Sequence, residues 1–232
     1  MKKFICLLAC VSALFIVGCE TSVVTDSGYH PNGGYGNDPT YRGELSEFDI
    51  LGAASGQDAT QANITKALET ATALKIKRGD QLLIIQSGAL VPDNEMMDEA
   101  GASFTVASFS GVPPADKTGM AASLRLRAAQ GGYHYILCYW GVLESAQEDR
   151  EGKAISWVPI AGSFVPDQKE QMRIRLKAIL LDVSTGNWKI FTPEVHNDAL
   201  LTSDLSREEQ NQKLVTALKT KGYKSLIAEL LK

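Results

Sequence analysis

Gln81-Leu82-Leu83-Ile84-Ile85-Gln86 carries an unbroken apolar centre between two turn signals, Gly79-Asp80 before it and Ser87-Gly88 after it. A strand with one wet face alternates apolar and polar residues, whereas a strand that is apolar throughout is buried on both faces. Such a strand needs cover on both faces, so a mixed sheet flanked by helices, in three layers or two, is the expectation. Arg78-Gly79-Asp80 also spells an adhesion tripeptide. A Gly-Asp turn leading into the strand accounts for it.

The flanking segments supply those helices. Residues 58–74 are expected to be helical, with Asp58 and Gln61 as a capping pair and Ile64, Leu68, Ala71 and Leu74 on one face. A short helix is expected over 93–100 and a strand over 104–109. Asp116 is placed to cap a helix running to Gln130, with Met120, Leu124 and Ala128 aligned and Gly131-Gly132 as the stop. Residues 133–140 read as a central strand, Tyr133, Tyr135, Leu137 and Tyr139 facing one way and His134, Ile136, Cys138 and Trp140 the other. An acidic loop is expected at 144–151, then an edge strand at 154–164 interrupted by Pro159 and Gly162. Residues 171–183 and 188–191 flank Ser184-Thr185-Gly186-Asn187, a hairpin signal. Ser206 and Glu209 then form a capping box for a last helix carrying Leu214, Leu218, Leu226, Ile227, Leu230 and Leu231. The expected fold class is α/β (α+β): a single domain, a mixed β-sheet flanked by helices, ending in a β-hairpin and a helix.

At the start of the chain, Lys2 and Lys3, the apolar run 4–17 and the small Gly18 have the three parts of a secretory signal. The run is shorter than the roughly 20 residues of a spanning helix. Ile16-Val17-Gly18-Cys19, followed by the polar Glu20-Thr21-Ser22, resembles the lipobox of bacterial lipoproteins. That resemblance implies a signal peptide over 1–18, cleavage after Gly18, diacylglycerol on the Cys19 thiol and acylation of the new N-terminus. Several acyl chains together hold a protein at a membrane surface almost permanently, at ~0.8 kcal/mol per buried CH₂. Glu20 is not the aspartate associated with inner-membrane retention, so the resemblance implies the outer membrane, with the domain facing the periplasm. Residues 19–43, rich in Gly, Asn and Tyr, are expected to be the lipidated end and a flexible tether spanning on the order of 25–30 Å. The globular domain is expected over 44–232.

Of four cysteines, Cys6 and Cys10 leave with the signal and Cys19 carries lipid. Cys138 is left alone, so packing rather than a disulfide has to hold the exported domain. Loss of Lys2 and Lys3 takes the basic count from 23 to 21 against 27 acids, leaving a net charge of about −6. That balance disfavours nucleic acid as a bulk partner.

No catalytic set assembles along the chain. His30, His134 and His196 lack the neighbouring Cys or His partners of a metal site, and no metal or cofactor is expected. His134 and Cys138 are four apart on one strand, about 13 Å at ~3.3 Å per residue, too far for a dyad and better read as packed core. Ser87 and Ser110 end strands, where α/β sheets place their sites, but lack the glycine pattern of a nucleophile elbow. Asp93, Glu95, Asp98 and Glu99 suit the dipole of a helix start. Arg173, Arg175 and Lys177 lie on alternate strand positions about 6–7 Å apart. They form a candidate interaction surface for an anionic partner, or the solvated face of the sheet.

Taken in order, the lipobox, the tether, 81–85, the helix into Gly131-Gly132 and Asp182-Val183-Ser184-Thr185-Gly186-Asn187-Trp188 resemble a known group. They are similar to the small α/β domain shared by the curli-secretion lipoprotein and the N-terminal domain of the Tol translocation protein. The similarity spans about 81–231 and implies fold, not channel activity, because the chain has no pair of long alternating hairpins to build a barrel. The expected function is a non-enzymatic interaction or assembly module of the cell envelope. Its partners would be the membrane through the lipid anchor and an envelope protein or wall polymer, with homo-oligomerisation left open. The alternative is a lipid-anchored periplasmic hydrolase, such as a peptidase, using a serine or acids at strand ends.

Overall fold

The structure, a computed structural model, describes residues 43–53, 59–71, 73–148, 155–159, 171–199 and 207–232. Cys19, His30, Asp58, Ser206, the expected signal and the expected tether up to residue 42 lie outside the described residues. Seven strands form one mixed sheet: β1 (Gln81–Gln86), β2 (Thr105–Phe109), β3 (Tyr135–Glu148), β4 (Ile155–Pro159), β5 (Gln171–Asp182), β6 (Trp188–Phe191) and β7 (His196–Ala199). The order is β2-β1-β3-β5-β6, with β4 on β3 and β7 on β5. β1 is parallel to β2 and β3; all other pairings are antiparallel. The helices are α1 (Glu47–Leu51), α2 (Gln61–Thr70), α3 (Asn94–Gly101), α4 (Met120–Gln130) and α5 (Arg207–Leu230). The α/β class expected from the sequence is the one observed.

β1 is the strand sealed on both sides, as its composition requires. Leu82 and Ile84 join a cluster with Met96 and Ala100 of α3 and Leu218, Leu226 and Leu230 of α5. Leu83 and Ile85 join a second cluster with Ile50 of α1 and Leu124 and Ala128 of α4. The chain steps from β1 outward to β2 through α3, then back across β1 to β3 through α4. Right-handed crossovers in opposite directions put their helices on opposite faces. β5 divides the same way: Met172, Ile174, Leu176, Ala178 and Leu180 face the first cluster, Ile179 and Leu181 the second.

Several local expectations are corrected. β3 runs on through Glu144 to Glu148 instead of ending in a loop, because β5 supplies a ladder partner as far as Ser145–Met172 and β4 pairs with 144–148. His134 is exposed and lies before the strand, whereas Cys138 is fully buried. Asp116 caps nothing: its Oδ1 accepts the Thr118 N–H in a local turn, and α4 starts after Gly119 at φ 64°. α2 is shorter than expected and capped by Thr60. Its apolar stripe is uncovered, with Ile64 at 47% and Leu68 at 75% exposure, and the first cluster is built from α3 and α5 instead. α1 and β7 had no counterpart in the sequence reading. α5 passes straight through Gly222, where a Cβ would stand 3.0 Å from Leu176 Cδ1 and 3.1 Å from Ile174 Cγ2. Glycine costs a helix about 1 kcal/mol; here it lets the helix lie close against β5.

Candidate functional sites

Arg173, Arg175 and Lys177 occupy β5 opposite Glu144, Val142 and Trp140 of β3. Their side chains are engaged. Glu144 takes Arg173 Nε on Oε2 and Arg175 in a fork, Nε to Oε2 at 3.0 Å and Nη2 to Oε1 at 2.6 Å. Such bidentate, charge-assisted bonds are the strong ones. The Glu144 side chain is only 4% exposed. Burial alone raises its pKa, but hydrogen bonds from Arg175 and Arg173 outweigh that and hold the carboxyl below its ordinary value. Lys177 pairs with Glu47 of α1, and its ammonium sits 5.9 Å from the centre of the Trp140 ring. Arg175 is half-exposed toward solvent, and Arg173 a quarter exposed. Sequence reasoning placed Glu144 in a loop; its position on the strand that pairs with 171–182 was the missing information.

The densest buried polar group lies at the carboxyl end of β1. Asp93 does not cap α3 with its side chain. Its Oδ2 accepts the Tyr223 hydroxyl and lies 3.0 Å from Lys219 Nζ, and its Oδ1 accepts Gln86 Nε2 at 3.3 Å. Gln86 Oε1 in turn accepts the Asp93 N–H at 2.7 Å and the Tyr139 hydroxyl at 2.5 Å. Burial, then the nearby Asp93 charge, pushes the Tyr139 phenol well above its ordinary pKa. Tyr223 is raised by burial and then by Tyr139 and Asp93. Both therefore stay protonated donors. The two rings meet edge-on with centroids 5.5 Å apart. A buried carboxylate that holds a lysine, one phenol and an amide, with the second phenol tied to the same amide, is a staple between α5 and the β1–α3 connection. Glu95, Asp98 and Glu99, expected beside Asp93 as one group of acids, stay on the outer side of α3 and are not buried.

Ser87 is also buried and committed. Its Oγ accepts the Leu45 N–H at 2.8 Å and donates to the Leu45 carbonyl at 3.3 Å, and that carbonyl takes Trp140 Nε1 at 2.7 Å. Ser110 accepts the Val112 N–H at 3.2 Å in a turn. Gly111 beside it cannot carry a side chain, since a Cβ would fall 1.7 Å from the Gln86 carbonyl oxygen. Cys138 lies under Leu45 and Ile50 in the second cluster. Burial, and then the Asp49 charge, raises its thiol well above the ordinary range, so it is protonated and unreactive. No signal in the sequence shows that Ser87 and Trp140 bind Leu45, and the reciprocal cap of Ser46 and Asp49 that follows it had no counterpart in the sequence reading.

One serine–histidine contact exists that spacing did not suggest: His196 Nε2 lies 2.7 Å from Ser225 Oγ, joining β7 to α5. Asp198 and Lys221 form a second rung, 2.7 Å, between the same elements. Ser225 lies inside α5, where neighbouring N–H groups are spent on the helix and offer no oxyanion donors. Among the described residues no group of three or more His, Cys, Asp or Glu is placed to hold a metal ion. Nor is any described helix long and apolar enough to cross a membrane.

No curated protein matches the chain. Among solved structures, two crystal forms of the PelC dodecamer from Paraburkholderia phytofirmans resemble it at 14% identity over 67% of this chain. They are covered over 95% and 93% of their own length, with TM-scores of 0.29 and 0.32. The profile of the YafT bacterial lipoprotein family matches residues 46–232, which takes in every element from α1 to α5. The chain belongs to the YafT family of bacterial lipoproteins.

Proposed function

We propose that this protein is an outer-membrane lipoprotein, anchored through lipid on Cys19, whose domain acts in the periplasm as a non-enzymatic interaction or assembly module. Residues 1–18 are then the signal peptide, 19–43 the lipidated tether and 44–232 the working domain. The observation that carries this reading is the lipobox at Ile16-Val17-Gly18-Cys19 ahead of a domain belonging to a lipoprotein family. Support comes from the polar side chains. Ser87, Asp93 and Glu144 are each spent on holding the fold together. The resemblance to the curli-secretion and Tol domains favours the same class, envelope assembly, without a channel. The outward surface at Arg173, Arg175 and Lys177, where Arg175 is half-exposed, is the face for an anionic envelope partner such as an acidic protein or wall polymer. Crosslinking from intact cells tests it: Arg173→Ala with Arg175→Ala is expected to lose captured partners, and unchanged capture would exclude this face.

A lipid-anchored hydrolase is the second reading, favoured by the 2.7 Å His196–Ser225 contact. A fluorophosphonate probe discriminates. Labelling that disappears in Ser225→Ala would establish the hydrolase and displace the module.

A further inference from the structure

We propose that the slot beneath residues 43–51 is an exchange site, in which the same segment of a second copy of this chain replaces the resident one. The segment is gripped through the backbone of Leu45 and through four of its side chains. The Leu45 N–H and carbonyl are bound by Ser87 and Trp140 at 2.7–3.3 Å. The Leu45 and Ile50 side chains, 3% and 0% exposed, sink into the cluster that holds Cys138. Two lysines take the acids that follow: Lys177 pairs with Glu47, and Lys117 with Asp49 at 2.7 Å. The slot thus recognises an extended backbone at Leu45–Ser46, the leucine itself, and a short helix carrying acids two and four residues further on.

Among the described residues, the attachment behind the segment is slight by comparison. Behind Leu51, the side chains of α2 from Gln61 to Glu69 are all exposed, and the next fully buried side chain among the described residues is Ile76. The docked contacts are therefore the same whichever copy supplies the segment, and exchange of an identical element keeps every one of them. What favours the resident segment is the effective concentration set by its linkage, on the order of millimolar for short linkers and lower for long ones. Copies held in one membrane meet at raised density, and that part rests on the lipid-anchored reading of Cys19. Reciprocal exchange closes on itself as a two-fold dimer.

The test needs no variant. Full-length ¹⁵N-labelled and unlabelled protein are mixed in detergent, reconstituted together in vesicles, and treated with a carbodiimide, which fuses a carboxylate to the lysine it touches. Digestion yields the Glu47–Lys177 crosslinked peptide. Exchange is expected to give mixed-isotope forms of this peptide at least five-fold above the mixed-isotope background of non-contacting surface pairs, rising with protein density. A Glu47–Lys177 peptide found only in same-isotope form, or not found at all, would overturn the proposal. The N-terminal peptide from the same digest reports lipid on Cys19 separately, so exchange without lipid removes the anchor and leaves the slot, and lipid without exchange does the reverse.

Discussion

Replacing Glu144 by glutamine keeps the shape of the side chain and removes the charge that two arginines share. Glu144 is 4% exposed, while Arg173 and Arg175 are 25% and 51% exposed. A hydrogen bond to a charged group contributes about 1.5–3 kcal/mol, and breaking a fully buried pair costs about 3–5 kcal/mol. Solvent around Arg175 screens its share, as at exposed pairs worth about 0–1 kcal/mol. Glutamine also retains one acceptor. The net loss at neutral pH is therefore about 2 kcal/mol. With a urea slope of about 2 kcal/mol/M, the unfolding midpoint of Glu144→Gln falls by roughly 1 M at unchanged slope. The pH dependence has a fixed sign. The folded pKa of Glu144 is depressed, so its contribution is present above the unfolded value and is lost as pH falls through the folded one. The two proteins should converge in acid, as the pH falls below the ordinary glutamate range and through the depressed folded value. A midpoint difference under about 0.2 M at pH 7, or one that grows in acid, would refute the clamp as a source of stability.

Other substitutions follow from the same geometry. Gly111→Ala sets a methyl into the Gln86 carbonyl and should leave little folded protein by circular dichroism, a cost well over about 3 kcal/mol. Ser87→Ala removes both hydroxyl bonds to Leu45; a loss of about 1–2 kcal/mol is expected, together with faster reaction of Cys138 with a thiol reagent as its cover loosens. Unchanged thiol kinetics would mean that Leu45 does not shield it. Leu218→Ala, at a fully buried position of α5, should cost about 2–5 kcal/mol, whereas Leu68→Ser on the exposed side of α2 should stay within about 0.5 kcal/mol in the same melt.

The elements that patterning located are those in which the pattern is a direct image of burial. β1 is apolar at each covered position from Leu82 to Ile85, and β5 alternates wherever only one face meets the core. The Ser184–Asn187 turn was legible because Asp182 and Gly186 impose it locally: Asp182 Oδ1 accepts the Ser184 and Thr185 N–H groups, and Gly186 has φ 77°. What patterning missed depends on a distant partner. Glu144 looks like loop composition until β5 supplies Arg173 and Arg175 across the ladder. Asp93 looks like a helix-start acid until α5 brings Lys219 and Tyr223 to it from 126 and more residues away. α2 shows the reverse, a respectable apolar stripe that stays outside a core built from other helices. The interaction row at 173–177 was found as residues, but not as ion pairs, since spacing reports which side chains share a face and not what faces them.

The account rests on lipid at residue 19. The N-terminal peptide of the membrane-extracted protein, measured by intact and tandem mass spectrometry, is expected to begin at Cys19 with a diacylglycerol thioether and an acylated amine. A peptide beginning elsewhere, or an unmodified Cys19, would contradict it.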